Sequence, residues 1–288
     1  MAGIVYAINE FIVAKLPVQY CLPDSIDEGV QDRLESALES LDLFAKEARL
    51  YDLFSQNPHP HIARCLHAEP QTVLFIERLY PLGDSIKRAN QTTRYRWVTE
   101  LCSAVAYLEA LGYIHGDLAP RNIGTAGDSL KLFDFGAAIN ITHDGFDVMK
   151  NEEYSALATC IHFILSGVDP FGSVHSIKEL RQLQRKIAEG RGEVHPDARI
   201  LEDVIQDCWT GRNPAMTFAT LYQKIRTGLG FKEVGRGFDS KRQSTLEVKR
   251  DCMDWLRQAR TNPEWKSEVE YRLAWENLAV VGMLPEDQ

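Results

Sequence analysis

Three polar side chains in the middle of the chain have the types and spacing that phosphoryl transfer requires. Asp117 precedes Asn122 by five positions, and Asp134 opens a DFG sequence directly after a strand-like apolar run at 130–133. Transfer from ATP needs one carboxylate that orients the attacking hydroxyl, and an amide oxygen and a second carboxylate that hold Mg²⁺ on the phosphates. Because Mg²⁺ prefers oxygen ligands, the spacing predicts Asp117 as the catalytic group and Asn122 and Asp134 as metal ligands.

The composition is that of a globular chain with a sizeable core. The 288 residues are 44% apolar, which leaves room for one two-lobed domain or two small domains. The net charge of −9 argues against nonspecific nucleic-acid binding and against docking on an anionic membrane. Six scattered cysteines without a CxxC pair favour buried thiols in a reducing compartment. No signal-peptide pattern and no long apolar run is visible, so we expect an intracellular protein, cytoplasmic or nuclear.

The apolar periodicity predicts a strand-rich first part and a helical remainder. Strands are expected at 4–7 and 11–15, and two more near 62–67 and 72–76. Apolar residues at three-to-four spacing predict a long helix over 25–54, which Pro58 and Pro60 end. After residue 95 the pattern is mostly helical, and the nearly all-apolar stretch 154–165 predicts a buried helix. A lobe boundary is expected near 77–83.

The HGD sequence at 115–117, together with Asn122 and the DFG sequence, resembles the catalytic loop and magnesium motif of the protein kinase family. The resemblance implies an α+β, bilobal protein kinase-like fold over residues 1–230, with a small β-rich lobe at about 1–77 and a larger α-helical lobe at about 84–230. It also implies ATP and Mg²⁺ as cofactors and transfer of the γ-phosphate to a protein hydroxyl, of serine or threonine rather than tyrosine. Residues 231–288 would form a linker and a C-terminal helical extension.

The same resemblance assigns a lysine–glutamate pair in the small lobe. Lys15, at the end of a strand reading IVAK, would contact the α- and β-phosphates of ATP. Glu47 would hold that lysine in place, although Glu35 and Glu39 lie on the same predicted helix.

Two further segments resemble the nucleotide-binding parts of the family. Residues 3–6, with Gly3 and Val5, are similar to the second half of the glycine-rich loop that covers the phosphates. The first strand of the family's pattern and the first glycines of its loop have no counterpart in this sequence. Either the sequence is a truncated gene product, or the nucleotide clamp is incomplete. Residues 77–79 resemble the hinge between the lobes, where the backbone of Glu77 and Leu79 would bind adenine.

The chain departs from the family's pattern around the catalytic loop. Gly116 replaces an arginine that pairs with a phosphate on the activation loop, which predicts no activation by loop phosphorylation. The activation segment is short, at 137–152, and Glu153 stands where an aspartate is usual. Its APE motif is missing, and Ala215 replaces the arginine that usually pairs with the APE glutamate. Arg121 would steady the γ-phosphate, as in tyrosine kinases, or be a solvated cation.

The last part of the chain predicts two helices beyond the kinase-like region. Four glycines within 228–240 indicate a linker, and a capping box at 244–247 begins the first helix, which carries Val248, Cys252 and Trp255 on one face. The second helix follows Pro263 and carries Trp265, Val269, Leu273, Trp275, Leu278 and Val281. We expect these helices to pack on the large lobe; the alternative is a module that binds a partner.

Two other functions stay open. One is a pseudokinase, a binding or scaffold protein with a kinase shell. The other is a small-molecule kinase of the aminoglycoside-phosphotransferase type, which the HGD sequence also resembles. Retention of Lys15, Asp117, Asn122 and Asp134 favours an active enzyme, because a scaffold does not need them.

Overall fold

The computed structural model describes residues 3–18, 29–69, 72–212, 216–230, 245–262, 266 and 268–280. The chain forms two compact units. The first comprises Met1–Asn57, Arg64–Arg78 and Lys241–Gln288, and the second comprises Pro58–Ala63 and Leu79–Ser240. In the ranges described, the first unit holds a four-stranded sheet and three helices, and the second is mainly helical. This confirms the predicted α+β class with a strand-rich and a helical part.

The sheet of the first unit is antiparallel throughout, with strand order β1-β2-β4-β3. Its strands are β1 (Ile4–Ala7), β2 (Ile12–Leu16), β3 (Cys65–Glu69) and β4 (Val73–Glu77). The turn between β1 and β2 is closed by Asn9, whose Oδ1 accepts the N–H groups of Phe11 (2.8 Å) and Ile12 (3.0 Å). An asparagine side chain that bonds its own downstream backbone is a common way to stabilise a turn. The predicted strands 4–7, 11–15 and 72–76 lie within one residue of those observed.

The long helix α1 (Val30–Gln56) carries one buried stripe, which includes Leu34, Ala37, Leu41 and Phe44. The predicted span was 25–54, and residues 25–28 lie outside the described part of the chain. The stripe repeats every three or four residues, as one face of a helix must. The next residues, Asn57 and Pro58, lie outside the helix, because a residue before proline disfavours the helical conformation.

Both C-terminal helices, α8 (Thr245–Ala259) and α9 (Glu268–Val280), belong to the first unit. The prediction that they pack on the large helical lobe was wrong. The apolar face of α8 packs against the sheet, and the apolar face of α9 packs against α1. The predicted capping residue Ser244, the helix residues Trp265 and Val281, and most of the glycine linker lie outside the described residues.

In the second unit, the central helices pack pairwise, α3 with α4 and α7, and α4 with α6. Asn90 caps α3 by accepting the N–H of Thr93 at 2.9 Å, and Gly167 ends α4 in the left-handed conformation. The predicted buried helix 154–165 lies within α4. The helices are α2 (Leu82–Ile86), α3 (Gln91–Ala110), α4 (Phe146–Ser166), α5 (Ile177–Lys186), α6 (Glu202–Thr210) and α7 (Phe218–Gly228).

Short strands in the second unit hold its loops in place. They form a three-stranded sheet of order β5-β7-β8 and a pair β6-β9. Their bounds are β5 (Tyr80–Pro81), β6 (Tyr113–Ile114), β7 (Ile123–Ala126), β8 (Ser129–Leu132) and β9 (Ile139–Asn140). The loop with Asp117 connects β6 to β7, and Asp134 follows β8. Across the described ranges, no helix combines the length and hydropathy that a bilayer crossing requires.

Candidate active site

The first unit contains a buried ion pair between Lys15 and Glu47, whose Nζ and Oε2 atoms are 2.5 Å apart. Lys15 is 5% exposed and Glu47 is fully buried, whereas Glu35 and Glu39 are exposed on the same helix. The structure therefore brings the expected glutamate to the lysine. Because both side chains are buried, removing either one takes a close partner of opposite charge from the other.

The two residues assigned to the glycine-rich loop lie beside β2. A Cβ atom on Gly3 would collide with the carbonyl oxygen of Leu16, so the backbones at this end of the sheet approach too closely for a side chain. Val5 is opposite Lys15 in the β1–β2 ladder and is half exposed. Val5 is thus on the strand adjacent to the one that carries the lysine, and Gly3 directly precedes that strand.

The predicted hinge residues have different surroundings. The Glu77 carboxylate accepts the Arg64 backbone N–H at 2.8 Å and lies 3.3 Å from the Arg64 Nε, while the Glu77 N–H donates to the Arg64 carbonyl at 3.0 Å. These contacts fix the chain before β3 against the end of β4. Leu79 belongs to the second unit, where it lines a cavity of about 310 Å³. The other lining residues are Tyr80, Pro81, Leu82, Gly83, Pro120, Arg121, Ile123, Phe133 and Phe163.

His115 anchors the start of the loop that carries Asp117. It is fully buried, and its Nε2 lies 3.0 Å from the carbonyl oxygen of Phe133. A carbonyl only accepts, so Nε2 carries the proton. The opposite nitrogen, Nδ1, then accepts the backbone N–H of Asp117 at 3.3 Å. The neutral histidine thereby shapes the backbone on which Asp117 sits.

Glu153 holds the same loop from α4. Its two carboxylate oxygens accept the backbone N–H groups of His115 (2.7 Å) and Gly116 (3.0 Å). Burial raises the pKa of Glu153 to about 7, the two N–H donors oppose that shift, and the charge of Asp117 adds to it. The sequence had shown only that a glutamate replaces the usual aspartate. The stronger signal was an acid directly before the nearly all-apolar stretch 154–165 of α4.

Gly116 is required by the backbone at its position. Its φ is +74°, a region that residues with a Cβ rarely adopt, and an added Cβ would collide with the carbonyl oxygen of Ala137. The glycine that departs from the family's arginine therefore permits the close approach of the loop to the segment after the DFG sequence.

Asp117 forms a hydrogen-bonded group with two neighbours on its own loop. The Arg121 guanidinium contacts Asp117 Oδ1, and the Arg121 side chain is 67% exposed. The Asn122 amide nitrogen donates to the Asp117 carbonyl (2.7 Å) and to Asp117 Oδ2 (3.0 Å). Since its nitrogen faces Asp117, Asn122 presents its amide oxygen elsewhere, and no group in the described chain donates to that oxygen.

Asp134 has an unusual backbone conformation. With φ of +66°, it is the one non-glycine residue of the described chain in the left-handed region. Such outliers persist where the surroundings enforce them, and they occur frequently at functional sites. The next residue, Phe135, is fully buried, with its ring centroid 5.3 Å from that of His115.

These oxygen donors fit Mg²⁺ without a dedicated metal cage. No cluster of three or more His, Cys, Asp or Glu side chains suited to a metal occurs in the described part of the chain. Mg²⁺ is commonly held by one or two protein oxygens and completed by phosphates and water. The undonated amide oxygen of Asn122 and the carboxylate of Asp134 are groups of that kind.

Comparison with known proteins agrees with this architecture. Residues 34–160 match the family of protein tyrosine and serine/threonine kinases. The chain is similar to the serine/threonine-protein kinase kin-29 of Caenorhabditis briggsae, at 27% identity over 162 residues, which are 46% of this chain and 19% of the relative. It is also similar to the serine/threonine-protein kinase csk1 of Schizosaccharomyces pombe, at 29% identity over 175 residues, 55% of this chain and 57% of the relative.

A third relative is the human serine/threonine-protein kinase Kist, at 29% identity over 124 residues, which are 42% of this chain and 29% of the relative. In all three comparisons the chain spans less than two thirds of the relative's length. These matches support a relationship to the protein kinase-like superfamily, with the family match covering residues 34–160.

Proposed function

We propose that the chain is an ATP-dependent phosphotransferase that transfers the γ-phosphoryl group to a protein hydroxyl, of serine or threonine rather than tyrosine. The observation that carries the proposal is the hydrogen bond from the Asn122 amide to Asp117 Oδ2 (3.0 Å). This bond fixes the carboxylate that would meet the acceptor and leaves an amide oxygen for a metal ion. A purely structural loop needs neither arrangement.

In this proposal each polar residue of the loop has one role. Asp117 orients the acceptor hydroxyl, and the hydroxyl proton passes toward its carboxylate as the oxygen–phosphorus bond forms and the bond to the β-phosphate breaks. Asn122 and Asp134 hold Mg²⁺, which, when bound, neutralises the charge on the phosphates. Arg121, exposed beside Asp117, steadies the γ-phosphate.

The nucleotide-binding roles proposed for the first unit depend on the Lys15–Glu47 pair. An ammonium group held by a buried carboxylate has a fixed position, so Lys15 can contact phosphate oxygens without first losing side-chain freedom. Gly3 and Val5 would lie near the phosphates, and the backbone of Glu77 and Leu79 would bind the adenine.

The test combines nucleotide binding with phosphoryl transfer. Thermal unfolding of the full chain is followed with Mg²⁺-ATP, with Mg²⁺ alone and with neither, because a ligand of the native state raises its stability by mass action. We expect a rise that needs both components and that Asp134→Asn abolishes. Asp117→Asn should keep the rise and lose transfer of labelled phosphate to dephosphorylated casein, while the exposed control Asp144→Asn keeps both. The absence of any rise with wild-type protein would contradict the proposal.

A pseudokinase is the second candidate, and one observation favours it. Both carboxylate oxygens of Asp117 are engaged, one by Arg121 and the other by Asn122, so an acceptor hydroxyl must compete for them. Nucleotide binding without transfer, in wild type and in Arg121→Ala, would identify this candidate. The cavity beside the loop does not favour an aminoglycoside-type acceptor, because its lining includes the cation Arg121 and no acidic side chain.

A further inference from the structure

The C-terminal helices pack against the two elements that carry the buried ion pair. Helix α8 shares an apolar cluster with β2, the strand of Lys15, and α9 shares another with α1, the helix of Glu47. We propose that α8 and α9 are a positioning element that maintains the geometry of the Lys15–Glu47 pair. The inference rests on the nucleotide-binding role proposed for Lys15.

Helix α8 covers the face of β2 opposite to Lys15. Side chains alternate along a strand, so Ile12, Ala14 and Leu16 point to one face and Lys15 to the other. The first three are buried in a cluster with Cys252 and Leu256 of α8. A strand packed in this way on its rear face cannot shift without opening that cluster.

An aromatic contact and two polar contacts fix the direction of α8. The Trp255 ring lies edge-on to Phe75 of β4, with centroids 5.9 Å apart. The Asn9 side-chain amide, in the turn that leads into β2, donates to Asp251 Oδ2 at 3.0 Å. At the other end of the helix Arg260 pairs with Glu69 of β3. Such partly exposed polar contacts add little energy, so they orient the helix while the buried cluster holds it.

Helix α9 anchors the first half of α1. Tyr271 is fully buried among Val30, Leu34, Ala37 and Leu41, which form one face of α1. Glu47 lies six residues beyond Leu41, about 9 Å along the same helix. A helix moves as a stiff rod, so clamping this face sets both the rotation and the axial position of Glu47. A displacement of about 1 Å at such a group can change a rate by roughly a hundredfold.

The decisive measurement is the dissociation constant of Mg²⁺-ATP for the full chain. We expect Tyr271→Ala to raise it roughly tenfold or more, because Glu47 loses its position, while Tyr271→Phe stays near wild type. Phe218→Ala is the matched control, since Phe218 is an equally buried aromatic residue of the second unit. This control should lower thermal stability without changing the dissociation constant. An unchanged constant in folded Tyr271→Ala overturns the proposal.

A double-mutant cycle separates positioning from general destabilisation. In a Lys15→Met background, Tyr271→Ala should produce no further rise in the dissociation constant, because the pair through which it acts is already lost. A further tenfold rise would overturn the proposal. If Tyr271→Ala does not fold, Tyr271→Leu and Trp255→Leu are measured in its place. An unchanged dissociation constant of Mg²⁺-ATP in both variants would overturn the proposal.

The result also distinguishes this proposal from the proposed function. If wild-type protein binds no Mg²⁺-ATP, the proposed function fails. Hydrogen exchange then tests, without any nucleotide, whether α8 and α9 position the Lys15–Glu47 pair. Tyr271→Ala should then lose amide protection around Glu47 in α1, while α3 and α4 of the second unit stay protected. Equal protection in the variant and in wild type would overturn the positioning role.

Discussion

The Glu153 carboxylate accepts the backbone N–H of His115 at 2.7 Å, and its second oxygen accepts the next N–H along the chain. This contact ties the central helix α4 to the loop that presents Asp117. Because the acid is buried and only partly compensated, its pKa is raised to about 7. Proton binding by Glu153 is therefore connected to the geometry of the loop that presents Asp117.

The raised pKa predicts a pH dependence of stability. An acid whose pKa is higher in the folded than in the unfolded chain binds more protons when folded, so its contribution to stability falls as pH rises from about 4.5 to about 7. Over that window we expect Glu153 to lower the free energy of unfolding by up to about 3 kcal/mol. Denaturant unfolding at several pH values should show this slope, and Glu153→Gln should reduce it.

The same experiment needs a second acid as its control. Glu100 is half-buried with a pKa raised to about 7, and it accepts the Leu130 N–H at 2.7 Å, away from the catalytic loop. Glu100→Gln should reduce the pH slope to a similar extent without disturbing the loop at His115. A slope unchanged in Glu153→Gln would show that Glu153 is ionised in the folded chain throughout this range.

The buried Lys15–Glu47 pair predicts strongly non-additive mutations. Glu47→Leu alone removes the carboxylate that pairs with the buried Lys15 ammonium, so we expect it to lower the free energy of unfolding by about 3–5 kcal/mol. Adding Lys15→Met should restore much of that loss, because no charge then remains buried. Chemical denaturation of both single variants and the double variant measures the coupling; simple additivity would contradict the prediction.

Substitutions at Gly116 and Gly127 separate the cost of backbone strain from the cost of a steric collision. Both Gly116 and Gly127 have positive φ, but an added Cβ would collide with the Ala137 carbonyl at Gly116 and would meet open space at Gly127. Gly127→Ala should cost about 1–2 kcal/mol from backbone strain alone, and Gly116→Ala clearly more. Thermal or chemical unfolding measures both, and equal losses would show that the Ala137 segment moves aside at no cost.

We expect replacement of Arg121 to change catalysis without changing the stability of the fold. Its ion pair with Asp117 is largely exposed, and such pairs contribute little to folding. If Arg121 steadies the γ-phosphate, Arg121→Ala should lower kcat about tenfold to hundredfold while the melting temperature stays near that of wild type. Lys87→Ala, which removes another exposed cation from an ion pair, is the control. An unchanged kcat would identify Arg121 as a solvated cation.

Much of the local structure could be predicted because it depends on short-range patterns. The strands at 4–7 and 73–77 follow from apolar periodicity and lie within one residue of the predicted bounds. The predicted helix 154–165 lies within α4, which begins earlier, at Phe146. The position of Asp134 after a short strand was also predicted, from the apolar run at 130–133. Their proposed roles stay predictions until the enzyme is assayed.

Contacts between distant parts of the chain could not be predicted. Several glutamates on α1 could have met Lys15, and only the helix rotation set by packing brought Glu47 to it. The role of Glu153 was missed because its partners are backbone N–H groups, which leave no trace in side-chain identity. The C-terminal helices were recognised as helices but placed on the wrong lobe, because an amphipathic face does not identify the surface that it covers.

The sequence by itself determined the elements, the α+β class and the motifs that identify a kinase-like chain, because residue spacing encodes periodicity and local chemistry. Tertiary structure alone decided that Tyr271 and Leu256 bury against the elements carrying Lys15 and Glu47. It also decided that Gly116 lies against Ala137. The physical reason is that burial is nonspecific: any apolar face can cover any other, and the choice follows from shape and chain connectivity in three dimensions.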